Sequence, residues 1–310
     1  MPTPQDRIEG GLLGLLVGDA LGVPYEFHPP SQIPAPSEIE FAPPPGYPRA
    51  HARVAPGTYS DDGAQALCLL ASLLERGGLD PDDLGRKLLA WYEGGYLAVG
   101  GEVFDVGVQT SQALRALRDG TPALQAGPAE ERANGNGSLM RVLPLALWHK
   151  GTDADLAGDA CTQSLVTHRH PRSQLCCALY CLWARRTLEG ADDPWAAAVA
   201  ALRGLLADDP KGLEELETAV RPDDPAGVTG RGYVVDSLHS ARWATTAGPF
   251  EQVVKAAVAL GHDTDTTAAV AGGIAGLRDG RAAIPDRWLA ALRGREHYEP
   301  LLKTLLAHRL

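Results

Sequence analysis

The sequence predicts an all-α fold folded as one compact domain. Three observations carry that expectation. Ala, Leu and Gly dominate while Ile and Phe are scarce. No stretch shows the period-2 alternation of a half-buried strand. Apolar segments of helix length recur along the whole chain, with Gly, Pro or Asp at most junctions. Such segments bury themselves by packing helix on helix.

The elements follow in chain order. Helices are expected at 6–22, 62–76, 82–94, 105–118, 138–149, 153–165, 172–188, 194–206, 231–246, 250–260, 264–278 and 286–308. Residues 28–57 contain nine prolines and cannot form a regular helix. They read as a surface loop or as a mobile lid, since long loops in compact domains often serve a site. A second loop, near 207–230, reads as solvated. Neither loop separates regions of different composition, so residues 1–310 are expected to form one domain.

The formal net charge is −11, with no cluster of Lys and Arg. That argues against a stable nucleic-acid complex, which needs a basic footprint. It leaves open an anionic small ligand held by backbone N–H groups. The start of the chain lacks a basic region before its apolar stretch, and Asp19 interrupts that stretch, so no signal peptide is expected. No run of 18 apolar residues suggests a membrane partner. Five cysteines on apolar segments suggest buried free thiols and a cytoplasmic setting. Cys177 and Cys181 share a helix face, but no second Cys/His pair at zinc spacing accompanies them. A monomer is expected.

Two oxygen-rich stretches stand out. "TYSDDG" places Ser60, Asp61 and Asp62 before an apolar helix, and "GHDTDTTAAVAGGIAGL" places Asp263, Asp265 and Thr266 before another. Either alone reads as helix N-capping. Together they put four aspartates at the starts of core helices, where unneutralised carboxylates repel strongly. A hard oxygen set with His262 as the nearby imidazole suits Mg²⁺ or Mn²⁺ rather than zinc. Capping and cation binding both remain open at this point.

Four further patches carry weaker signals. In "GDALGVPYEF", Asp19 reads as a structural hydrogen-bond acceptor, and Glu26 as a surface residue or a functional one. "GNGSLMR" and "GYLAVGGEVFDVGVQT" are Gly-rich turns leading into helices, a geometry that can offer N–H groups to phosphate. "THRHP" supplies His168 and His170. There is no G-x-S-x-G elbow, P-loop or dinucleotide fingerprint.

Taken in order, "GDALG", "TYSDD", "GNGSLMR", "THRHP", "GRGYVVDSL" and "GHDTDTTAA" resemble the ADP-ribosylglycohydrolase family. The resemblance runs from Gly18 to Ala269. It implies a helical fold with two Mg²⁺ or Mn²⁺ ions in a central cleft, held by Ser60, Asp61, Asp62, Asp263, Asp265 and Thr266. It places Glu26 and Asp105 near the reacting ribose as the catalytic carboxylates. It implies an ADP-ribose site lined by Gly100, Gly101, Asn136, Gly137 and Ser138, with His168 and Tyr233 as walls. Gly63 departs from the Thr or Ser usual after the paired aspartates.

The activity so implied is hydrolysis of the bond between ribose and an acceptor, through an oxocarbenium-like transition state. The partner would be an ADP-ribosylated protein or a small ADP-ribosyl conjugate. Arginine, serine, an acetyl ester and a nucleic-acid base are all open as acceptors. A non-catalytic ADP-ribose binder, a crystallin-like relative and a di-metal phosphohydrolase are the rival functions. With few cations in the motifs, backbone N–H groups at 99–101 and 135–138 are expected to hold the phosphates, and Arg141 to serve structure.

Overall fold

The computed structural model describes residues 2–224 and 227–309. The described residues form an all-helical single domain with no strand, apart from one isolated bridge between Gly135 and Tyr233. In chain order the α-helices are α1 (Pro4–Gly22), α2 (Asp61–Arg76), α3 (Pro81–Gly94), α4 (Val108–Arg118), α5 (Ala123–Ala126), α6 (Leu143–Trp148), α7 (Asp153–Leu165), α8 (Pro171–Glu189), α9 (Pro194–Leu205), α10 (Pro210–Glu215), α11 (Val234–Ala244), α12 (Phe250–Ala259), α13 (Thr264–Asp279), α14 (Asp286–Ala291) and α15 (Arg295–Arg309).

The chain writes its own helix boundaries. Three Asp-Pro steps open α3, α9 and α10. Asp80, Asp193 and Asp209 each accept a backbone N–H three residues on, and the proline fills a position whose N–H would be unpaired. Thr3 and Thr152 start α1 and α7 with reciprocal capping boxes. Gly77, Gly95 and Gly190 end α2, α3 and α8 in the left-handed conformation.

At the centre, α1 and α13 run antiparallel at unusually close approach. Gly10, Gly14, Gly18 and Gly22, spaced four residues apart, form one stripe along α1. A Cβ at Gly10 would overlap the Gly276 carbonyl oxygen. At Gly14 it would overlap that of Gly272, at Gly18 that of Ala268, and at Gly22 the Thr264–Asp265 backbone. The stripe on α13 also steps by four, so the two helices meet backbone to backbone. By length and composition α1 is apolar enough to cross a membrane, yet most of that stretch is buried inside the protein. Behind α13, Tyr180 of α8 donates its hydroxyl to the Val270 carbonyl at 2.9 Å.

Several boundaries differ from expectation. The segment 105–118 becomes helical only at Val108, because Asp105 has a positive φ of 54°. Residues 138–142 turn rather than coil, leaving α6 to begin at Leu143. The segment 286–308 is split into α14 and α15, with Gly294 at φ 75° in the break. The stretch 207–230 is not merely solvated: α10 runs into a π-turn over Leu216–Val220, whose Leu216 and Val220 are fully buried. Residues 225 and 226 of that stretch lie outside the described residues.

The proline-rich segment forms only short 3₁₀ turns, each opened by a proline at Pro30 and Pro36. Its middle is pinned to the body. Ile39 and Phe41 are buried, and the Tyr25 hydroxyl bonds the Glu40 carbonyl at 2.8 Å.

The close helix seam generates a stability prediction. Gly276→Ala forces a methyl into the α1 backbone and should destabilise the fold by about 1–3 kcal/mol or more. Gly158→Ala, in α7 with open space around it, should instead be neutral or stabilising by up to about 1 kcal/mol. Denaturant unfolding of the two variants checks the contrast.

Candidate functional site

The seam delivers the ends of α1 and α13 to one place. Asp19 lies on the last turns of α1, and Glu26 follows it after a 3₁₀ turn. Asp263, Asp265 and Thr266 open α13, and Ser60, Asp61 and Asp62 open α2. Asp19 is fully buried and accepts the N–H of Ser60 at 2.8 Å and of Gly63 at 2.7 Å. It therefore ties the start of α2 to α1. A side chain at Gly63 would meet the Asp19 carboxylate at 2.9 Å and Leu16 at 2.8 Å, so glycine is what this bond leaves room for.

Capping accounts for only one of these residues. The Ser60 hydroxyl accepts the Asp62 N–H at 3.2 Å and caps α2. Asp263 occupies the N-cap position of α13, but its side chain makes no capping bond. Its carboxylate instead accepts the Asn136 amide at 2.7 Å. Asp61 accepts the Gln65 amide at 2.9 Å, and Thr266 donates to Asp62 at 3.3 Å. One oxygen each of Asp62 and Asp265 is buried with no hydrogen-bond partner.

These groups face a cavity of about 450 Å³, a size suited to a small molecule. One end is acidic, with Glu26, Asp61, Asp62, Asp105, Asp263 and Thr266 on its wall. The other is neutral, built from Gln109, Thr110, Gly135, Gly137, Met140 and His168. The buried Thr110 hydroxyl there has no partner. Single oxygen atoms of Glu26, Asp263 and Asp265 lie within 4.8 Å of one another, and so do ligand atoms of Glu26, His51 and Asp105.

The electrostatics follow from burial. Desolvation, and then repulsion among the acids, pushes Glu26, Asp61, Asp62 and Asp265 well above the usual carboxylate range. Burial lifts Asp19 to about 7, against the pull of its N–H donors, and lifts Asp105 to about 6. Burial holds His168 neutral, with its pKa near 3, and its Nδ1 meets the Thr167 hydroxyl at 2.9 Å.

The turn 135–138 is held from behind by Arg141, which is fully buried. Its guanidinium donates to the Gly137 carbonyl at 3.3 Å, to Gln65 at 3.1 Å and to Gln163 at 3.0 Å. Because a trans peptide sets C=O and N–H on opposite sides, this turns the Ser138 N–H away from Arg141. Among the described residues, no protein group accepts the N–H of Gly137 or Ser138.

Backbone strain collects here as well. Phe27, His51, Asp105 and His262 all have positive φ, at 63°, 46°, 54° and 62°. Phe27, Asp105 and His262 line the cavity, and His51 reaches Glu26 at 2.6 Å. Such conformations cost of order 1–3 kcal/mol each and persist only where the surroundings impose them.

A family model described as ADP-ribosylglycohydrolase matches residues 1–310. The chain belongs to that family. It is 32% identical over 310 residues to the ADP-ribosylarginine hydrolase Tri1 of Pseudomonas putida (strain GB-1), covering 98% of this chain and 79% of that protein. It is 30% identical over 298 residues to the ADP-ribosyl-[dinitrogen reductase] glycohydrolase of Rhodospirillum rubrum, covering 94% and 92%. A solved structure titled "ADP-ribosylglycohydrolase-related protein complex" superposes with a TM-score of 0.81 at 34% identity over 99% of each chain.

In this member of the family, the structure sorts the residues that the sequence singled out. Glu26, Asp61, Asp62, Asp105, Asn136, Gly137, His168, Asp263 and Thr266 line the cavity. Asp265 and Ser60 are buried beside it, as is Ser138, whose hydroxyl is spent on Ser164 and Cys177. Gly100 and Gly101 form a 3₁₀ turn beside Gly95 and are not among the residues that line this cavity. Tyr233 is also off the wall: it is 41% exposed, and its hydroxyl accepts from Arg172 at 3.2 Å. Its neighbours Arg231 and Gly232 line the cavity instead. The sequence reading passed over His51, Phe27, Gln109 and Thr110. A histidine in a proline-rich loop carries no periodicity that says where it ends, whereas Gln109 and Thr110 follow Asp105 closely enough to have been candidates.

The residues present fit a pair of divalent cations. The donors are hard oxygens, two buried carboxylate oxygens lack partners, and the crowded acids need compensating charge. A linked pH effect follows. Carboxylates whose pKa is raised on folding release protons when the chain unfolds, so the stability of the chelated protein should fall as pH rises from about 4 to about 7. That window is set by Asp105 near 6 and Asp19 near 7. Millimolar Mg²⁺ or Mn²⁺ should raise the melting temperature by several degrees and flatten the slope. Thermal melts at several pH values, with chelator and with metal, read both effects.

Proposed function

We propose that this protein is a metal-dependent hydrolase that releases ADP-ribose from arginine-linked ADP-ribosylated protein. The carrying observation is the polarity of this cavity. Its acidic end presents unpartnered carboxylate oxygens of Asp62 and, just behind the wall, Asp265. Its neutral end presents an N–H-bearing turn against a neutral histidine. A ligand with a sugar diol at one end and a diphosphate at the other matches both. The arginine linkage is supported by the Pseudomonas putida relative's name.

Asp61, Asp62, Asp263, Asp265 and Thr266 would hold two divalent cations, Mg²⁺ or Mn²⁺, with Ser60 adding a hydroxyl oxygen. Bound cations supply positive charge for ribose hydroxyls and acidify a water. The chain's own groups do the rest. Asn136 fixes the Asp263 carboxylate, and Gln65, itself held by Arg141, fixes Asp61. Glu26, in its buried seat against His51, receives a proton from the attacking water. Asp105, more exposed on the rim, accepts the N–H edge of the guanidinium, which departs as neutral guanidine and takes up the proton that Glu26 received. The Gly137 and Ser138 amides cradle phosphate without a cationic side chain, as N–H-rich turns do. Arg231, on the cavity wall, is available at the rim. We place the enzyme in the cytoplasm as a monomer, a setting that its five free cysteines fit.

Glu26→Gln keeps shape and removes the base. It should lower turnover by at least about 100-fold while ADP-ribose binding persists. Unchanged turnover would remove Glu26 from the mechanism. Asp263→Asn should abolish most of the metal-induced rise in melting temperature without unfolding the chain. The product of wild type should be intact ADP-ribose by chromatography; AMP with ribose phosphate would make the protein a phosphohydrolase instead.

Gly137→Ala tests the cradle separately. Its Cβ would lie 2.8 Å from the His168 ring and 2.9 Å from the Thr110 hydroxyl. ADP-ribose affinity by calorimetry should fall at least about tenfold, a loss of about 1.4 kcal/mol, in a variant that circular dichroism shows to be folded.

A further inference from the structure

Among the described residues, Phe27 is the one large apolar side chain at the acidic end that is left to solvent: it is 68% exposed while its neighbour Glu26 is buried. Its backbone is locked in the left-handed region at φ 63°, a strained state for a bulky residue. Two hydrogen bonds impose it. The Phe27 N–H donates to the His262 carbonyl, and the His262 N–H to the His28 carbonyl, both at 2.7 Å. The fold thus spends strain to hold an aromatic ring at the mouth rather than to bury it.

The surroundings say what the ring can meet. The His51 ring lies 5.5 Å from Phe27, and its Nε2 lies 3.9 Å from Asp105. Phe27, His51 and Asp105 therefore form a continuous rim beside Glu26. An aromatic face next to a carboxylate is the surface that a guanidinium uses best. Its flat face stacks on the ring, and its N–H edge meets the carboxylate. A serine side chain offers neither a cation nor a planar face.

We propose that Phe27 is a specificity-determining residue that stacks on the guanidinium of an arginine acceptor while Asp105 takes its N–H edge. This deepens the hydrolase reading and rests on it. Phe27 selects the leaving side chain; it does not touch the phosphates or the candidate cation ligands.

The test uses wild type, Phe27→Ala, Phe27→Gly and Phe27→Trp with Mg²⁺ present. The glycine variant keeps the positive φ without strain, so it separates loss of the ring from loss of the backbone shape. Release of ADP-ribose is measured from arginine-linked and serine-linked peptides. Binding of free agmatine is measured by ligand-observed NMR, with butylamine as the control for its ammonium group. Ring loss should raise KM for the arginine linkage roughly 5–30-fold, the range of one desolvated cation–π contact. Release from any serine-linked peptide that wild type cleaves should change less than about twofold, and Phe27→Trp should retain wild-type behaviour. Agmatine binding should weaken in Phe27→Ala and Phe27→Gly alike. Equal losses on both linkages, no loss at all, or agmatine binding indifferent to residue 27 would overturn the proposal. Wild type that releases ADP-ribose from neither linkage overturns the hydrolase reading instead, and the agmatine titration still decides whether the rim binds a guanidinium.

Discussion

The rest of the structure depends on backbone-to-backbone contact between α1 and α13. Four glycines on one helix, facing Gly276, Gly272, Ala268 and the Thr264–Asp265 backbone on the other, let the two backbones touch along the seam. The contact has little play, because no rotamer can adjust where there is no rotamer. It fixes the axial register of the two helices, and their ends then fall beside each other. Thr264 donates its hydroxyl to the Gly22 carbonyl at 2.8 Å and so closes the seam at the cavity. Asp19 extends the same registration to α2. The site is thus built on helix termini tied to one rigid pair, where positional precision is greatest.

That precision opposes a large electrostatic penalty. Six carboxylates, those of Glu26, Asp61, Asp62, Asp105, Asp263 and Asp265, crowd a space that water reaches poorly. The raised pKa values of Glu26, Asp61, Asp62, Asp105 and Asp265 express the penalty as proton affinity. Packing elsewhere has to offset it, and the core is correspondingly continuous, from Ile8 through Leu305. The neutral half of the cavity is built the other way. Arg141 is buried and donates only to neutral acceptors, so its charge stiffens a turn instead of attracting the ligand directly.

Much of this was legible in the sequence, for definite reasons. Helix content follows from composition and punctuation, and short-range patterns such as Ser60–Asp62 and Asp263–Thr266 announce themselves because neighbouring acids at two helix starts are hard to satisfy by capping. The small residues of α13 are visible in the sequence as a face that permits close packing. Their partner was visible too, in the four-residue spacing of Gly10, Gly14, Gly18 and Gly22, but spacing alone does not name the facing helix. What escaped was whatever depends on where a loop lands. His51 arrives from a proline-rich segment with no periodicity. Gly100 and Gly101 show that a Gly-rich turn reports backbone freedom and not location. The π-turn at Leu216–Val220 was hidden because its two buried residues are isolated among polar ones.

The four residues with positive φ around the cavity bear on how this sequence can drift. Glycine or asparagine would sit more comfortably at 27, 51, 105 and 262 than Phe, His, Asp and His do. Random substitution under selection for stability alone would therefore erode these positions first. Each such exchange would strengthen the scaffold while blunting the rim. The residues now present mark places where the chain has been kept less stable than it could be, the usual signature of stability yielded to activity. A stabilisation campaign guided by backbone preference would do well to leave these four untouched.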